Sequence, residues 1–141
     1  MNTYYIDTDL ELFASFDLTA LAAVLEAQEL FPLHVTQQED GCWMAGFEFA
    51  TIEGDEKYAD PESTIMGMLD IVEALEGEAR TLWNSCSLRN FDIGYACGEE
   101  PFAFHHRISN STLLRIANVG GAMEITLYGM RGQQGDEAGK P

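Results

Sequence analysis

Basic residues are scarce in this chain of 141 residues, and almost none occur in its first half: Lys57 is the only one before Arg80. Eighteen of the 24 acids precede Arg80, whereas six acids and six bases follow from there on, so the whole formal net charge of −17 sits ahead of Arg80. Such a field repels nucleic acid and anionic membrane surfaces and favours cationic partners. No apolar run approaches the roughly 20 residues that a membrane span needs, and the N-terminus lacks a basic stretch followed by an apolar one. These absences lead us to expect a cytoplasmic protein that binds neither nucleic acid nor membrane.

Cysteine is also sparse. Cys42, Cys86 and Cys97 form no C-x-x-C pair, which argues against a disulfide framework and against a zinc knuckle. No G-x-S-x-G elbow, phosphate-binding G-x-x-x-x-G-K loop or G-x-G-x-x-G loop is present, and nothing calls for a cofactor. The segment Thr51–Asp60 is acidic but lacks the alternating oxygen ligands of a calcium loop.

What is present reads as one α+β domain over residues 1–130, with a glycine-rich polar tail at 131–141 expected to be disordered. Tyr4, Ile6, Leu10, Leu12 and Phe16 alternate with Asp7, Asp9, Glu11 and Ser15, the pattern of a half-buried strand. Asp17 is placed to cap a helix striped by Leu18, Leu21, Val24 and Leu25, and Pro32 is expected to end it. Strands over 33–38 and 42–50, joined by Glu39-Asp40-Gly41, read as a hairpin with Trp43, Ala45, Phe47 and Phe49 on one face. Asp60-Pro61-Glu62 opens a long helix whose apolar positions run from Ile65 to Trp83, with a bend or break expected at Gly77. Phe91, Ile93, Tyr95 and Cys97 alternate along the next strand, Gly98–Pro101 turns, and Phe102–Ile108 reads as a further extended piece. Ser109 caps a short helix with Leu113, Leu114, Ile116 and Ala117 as its apolar positions. The closing strand, Ala122–Tyr128, is expected to turn Met123, Ile125 and Leu127 inward. The order of elements predicts an antiparallel or mixed sheet with helices on one face. It fits a ferredoxin-like, split βαβ arrangement extended by a C-terminal helix and strand.

Three function classes follow. Asp70, Glu73 and Glu76 stand at three-residue intervals on one helix face with no base among them, a spacing that costs helix stability rather than adding to it. Together with Glu53, Asp55 and Glu56 they suggest a non-enzymatic binding protein, of the immunity or inhibitor kind, that meets a basic protein partner. The alternative is a small-ligand or metal site, or an enzyme, built on Asp92, Cys97 and His105. Against it, neighbouring His105 and His106 point to opposite faces of a strand, the spacing matches no zinc pattern, and Glu99 and Glu100 disfavour a thiolate at Cys97. We therefore assign no metal and no catalytic residue. The third reading is the subunit of a homo-oligomer.

The segments Phe91–Cys97, Ile108–Ala117 and Ile125–Tyr128 resemble the C-terminal part of small bacterial α+β domains of unknown function. The likeness covers about the last third of the chain. It implies a core strand leading through a loop to a capped helix and a final strand, and no activity.

Overall fold

Helix and strand boundaries follow local chemistry closely in the computed structural model, which describes residues 1–50 and 56–129. The elements run β1 (Tyr4–Ala14), α1 (Thr19–Ala27), β2 (Leu30–Gln37), β3 (Trp43–Phe49), α2 (Pro61–Glu73), α3 (Gly77–Ser85), β4 (Leu88–Ala96), α4 (Asn110–Asn118) and β5 (Ala122–Tyr128). The chain is α+β, and its strands form one five-stranded sheet in the order β2-β3-β1-β4-β5. β5 joins β4 in parallel, and the other three strand pairs, β1 with β3, β1 with β4 and β2 with β3, are antiparallel. The order β4-β1-β3-β2 of the first four strands is compatible with a split βαβ unit, and α4 with β5 extends it. Glu53 and Asp55 of the acidic loop, and the tail at 131–141, lie outside the described residues.

The core is one layer deep between sheet and helices. Leu10, Leu12 and Ala14 of β1, Ala45 and Phe47 of β3, and Phe91 and Ile93 of β4 meet Leu21 and Leu25 of α1, Ile65, Met68, Leu69 and Val72 of α2, Trp83 of α3 and Ile116 of α4. Trp83 is fully buried, and its indole Nε1 donates to the Val119 carbonyl at 2.9 Å, tying α3 to the end of α4.

Several sequence expectations are corrected. Pro32 does not end α1. The helix stops at Ala27, and the chain reverses at Glu29 with a left-handed φ of 68°. Pro32 lies inside β2, an edge strand that tolerates the missing N–H. A register irregularity between Tyr5 and Asp7 shifts the alternation of β1. Tyr5 therefore faces the helices, where its hydroxyl bonds Thr8 and Thr64, while Tyr4 and Ile6 are exposed. The break expected at Gly77 is present: α2 ends at Glu73 and α3 begins at Gly77, whose φ is +57°. Arg80 seals the break by donating to the carbonyls of Val72 at 2.7 Å, Glu73 at 3.0 Å and Leu75 at 3.1 Å. These are acceptors that the end of a helix leaves open. Phe102–Ile108 forms no strand, and the Phe102 side chain is fully exposed. On α4 the buried positions are Thr112 and Ile116, with Leu113 and Leu114 exposed. Met123, Ile125 and Leu127 are not packed inward: they are 41%, 58% and 65% exposed, because β5 is an edge strand that the helices barely reach. The caps at Asp60 and Ser109 form as expected, accepting from the backbone N–H of Ser63 and of Thr112.

Candidate functional site

The alternation that buries Leu10 and Leu12 turns Asp7, Asp9 and Glu11 to the other face of the sheet, away from the helices. Pairing register then assembles a row of acids. Asp9 lies opposite Asp92, and Asp92 lies opposite Glu124. Leu10 pairs with Phe47, which sets Glu48 beside Asp9 on the far side. One line across β3, β1, β4 and β5 is therefore Glu48, Asp9, Asp92 and Glu124, flanked by Asp7 and Glu11. Like charges directly opposed across strands destabilise a sheet, so this row does not arise from the needs of folding.

Its electrostatics show the strain. Asp9 Oδ1 is buried and meets no hydrogen-bond donor among the described residues. Burial first, then the charges of Asp7, Glu48, Asp92 and Glu11, push its carboxyl up to about 7. Glu48 is raised as well, by burial and by a hydrogen bond shared with Asp7 that requires a proton. The rest of the row is held by neutral donors. The Asn90 amide donates to Glu11 at 2.8 Å and to Glu124 at 2.7 Å, and the Thr126 hydroxyl donates to Asp92 at 2.7 Å. The Arg115 ion pairs lie away from the row, between α4 and α2. Asp7, Asp9 and Glu48 form one group, and Glu11, Asp92 and Glu124 another, whose carboxylate oxygens lie within 4.8 Å of one another. These are hard oxygen donors of the type that calcium and magnesium take.

Tyrosines border the row. Tyr4 pairs through Ala96 with Tyr128, and both tyrosines are about half exposed. A Cβ placed on Gly94 would meet the Tyr128 ring at 3.4 Å and the Asp7 carboxylate at 3.6 Å, ordinary contact distances that show the ring and this acid lying together over Gly94. Burial and the charges of Asp92, Asp9, Asp7 and Glu11 raise the Tyr128 phenol.

The residues singled out from the sequence lie elsewhere, apart from Asp92. Asp70 and Glu73 are not left without a counter-charge: Arg115 of α4 donates to each at 2.8 Å, and this hydrogen bond holds Glu73 below the usual carboxylate range. Glu76 is the exposed residue before α3, and Glu56 is an exposed residue at the start of the described chain after the acidic loop. Asp92 lies within β4, whereas Cys97 follows the last residue of that strand, Ala96. His105 is exposed, and no metal-capable group among the described residues contains Cys97 or His105. It is His106 that packs, stacked on Tyr95 with ring centroids 5.7 Å apart. Cys86 is buried and its thiol is raised to about 11, the opposite of an activated nucleophile. No described helix is long and apolar enough to cross a membrane.

Because the Arg115 pairs are exposed, Arg115→Ala is expected to cost under about 1 kcal/mol, a loss that vanishes in high salt. Urea denaturation at two ionic strengths checks this, and a larger, salt-independent loss would show that Arg115 holds α2 against α4 in some other way.

Comparison with protein-family models, curated proteins and solved structures finds no match for this chain.

Proposed function

We propose that this protein is a non-enzymatic binding protein that presents the carboxylate face of its sheet to a basic protein partner, in the manner of immunity or inhibitor proteins. One observation carries the reading: Glu48, Asp9, Asp92 and Glu124 stand side by side on four strands, at a cost to the sheet. Asp92 and Glu124 take hydrogen bonds from the neutral Thr126 and Asn90, donors that bring no positive charge to the row, and the raised Asp9 and Glu48 would ionise against a cationic partner. Lysine or arginine side chains of a partner would satisfy the acids and stack on Tyr4 and Tyr128. Segregation of the −17 charge ahead of Arg80 would steer such a partner from a distance. The proposed surface is thus the sheet face rather than Asp70, Glu73 and Glu76. Nothing in the geometry favours the alternative built on Asp92, Cys97 and His105. The resemblance of the C-terminal third to bacterial domains of unknown function adds no catalytic residue to this reading.

The test uses a triple variant, Asp9→Asn, Asp92→Asn and Glu124→Gln, which keeps side-chain shape and removes charge. A synthetic lysine- and arginine-rich peptide, titrated by calorimetry, is expected to bind the native chain about tenfold or more tightly than the variant, and more weakly as salt rises. Capture from cells should return a basic protein with the native chain and lose it with the variant. Equal binding by both chains, or captured proteins that are acidic and indifferent to salt, would sink the reading.

A further inference from the structure

The two edges of the sheet are built differently. β2, at one edge, carries Pro32 and a register irregularity between Pro32 and His34, devices that keep an edge from pairing further. β5, at the other, has neither: its pairing with β4 runs unbroken from Asn90 with Ala122 to Ala96 with Tyr128. It contains no proline and no lysine, and Glu124 is its only charged residue. No described strand lies beyond it, so its outer row of backbone groups has no partner strand. Met123, Ile125 and Leu127 form an exposed apolar line on the helix side, where Phe91, Ile93 and Tyr95 are their neighbours in β4.

We infer that β5 pairs antiparallel with β5 of a second copy about a two-fold axis at Ile125, giving a continuous ten-stranded sheet. The sequence of the strand is complementary to itself in this register. Ile125 meets its own counterpart, Met123 meets Leu127 of the second copy, and Glu124 meets Thr126, so no like charges are opposed and apolar residues face only apolar ones. A two-fold axis perpendicular to the sheet puts both helix layers on one side. Each copy brings a net charge of −17, so repulsion opposes the pairing and salt relieves it. The dimer therefore tightens as salt rises, whereas binding of a basic partner weakens. The inference rests on β5 and not on the carboxylate row.

Sedimentation of the full chain from micromolar to millimolar concentration, at low salt and at about 1 M salt where the Debye length is about 3 Å, tests it. The native chain should pass from monomer to dimer, at lower concentration in high salt. Ile125→Lys should raise the dissociation constant about tenfold or more, and Thr36→Lys on the β2 edge should leave it unchanged. Circular dichroism and cooperative unfolding check that the variants fold, and Leu127→Lys replaces Ile125→Lys if that chain does not. A chain that stays monomeric throughout overturns the inference, as does a dimer that the β5 lysine leaves intact or one that weakens with salt.

Discussion

Asp9→Asn is expected to stabilise the protein by about 1–2 kcal/mol at pH 8, raising the melting temperature by about 3–6 °C. The carboxyl that it replaces rises from 3.8 to about 7 on folding, and its Oδ1 has no hydrogen-bond partner among the described residues. A shift of that size alone would correspond to about 4 kcal/mol, and solvent around the partly exposed side chain screens it to the smaller figure. The sign is opposite to that of a salt-bridged carboxylate. Between pH 4 and pH 7 the folded chain holds a proton that the unfolded chain releases, so stability falls as pH rises through this window. The penalty is complete above about 7 and is relieved toward 3.8; Glu48, also raised, adds to the same trend. Glu73, held down by Arg115, acts the other way and only near and below its ordinary 4.5. Thermal melts at pH 5.5 and pH 8 should therefore show the native chain more stable at the lower value, and Asp9→Asn should flatten the difference. Equal destabilisation of the variant at both pH values would mean that Asp9 is not a strained acid.

Trp83→Ala is the substitution expected to do most damage, about 3–5 kcal/mol, set against the roughly 5–15 kcal/mol by which a typical domain is stable. The indole is fully buried between α3, the sheet and α4, and its removal opens a cavity and leaves the Val119 carbonyl without its donor. Trp83→Phe separates the two effects: it keeps most of the volume and loses the N–H, for a cost of about 1–3 kcal/mol. Urea midpoints of the two variants measure the difference. A loss under about 1 kcal/mol for the alanine variant would contradict the packing of α3 onto the core.

The charge row explains why function is harder to see in the residues than fold. With 24 acids, close carboxylate pairs are expected by chance, and nothing in their number singles one pair out. Yet each member stands at a polar position of its strand pattern: Asp7, Asp9 and Glu11 against Leu10 and Leu12, Glu48 beside Phe47 and Phe49, Asp92 between Phe91 and Ile93, Glu124 between Met123 and Ile125. Reading those positions as one face would mark the candidates. It could not show that Glu48, Asp9, Asp92 and Glu124 share a line, because that depends on pairing between strands drawn from opposite ends of the chain. The helix acids stand out for the opposite reason. Their spacing is local and visible, while the Arg115 that pairs with two of them comes from 42 and 45 positions away.

Local chemistry by itself determined the α+β class, the caps at Asp60 and Ser109, the break at Gly77 and the alternation that separates acids from core residues along β1. These depend on contacts within a few residues, where dihedral preference and side-chain period act directly. Tertiary structure alone decided which apolar strand was left uncovered and which acids came together. Met123, Ile125 and Leu127 have the pattern of an inward face, but burial needs a helix above them, and β5 lies at the edge where that cover runs out.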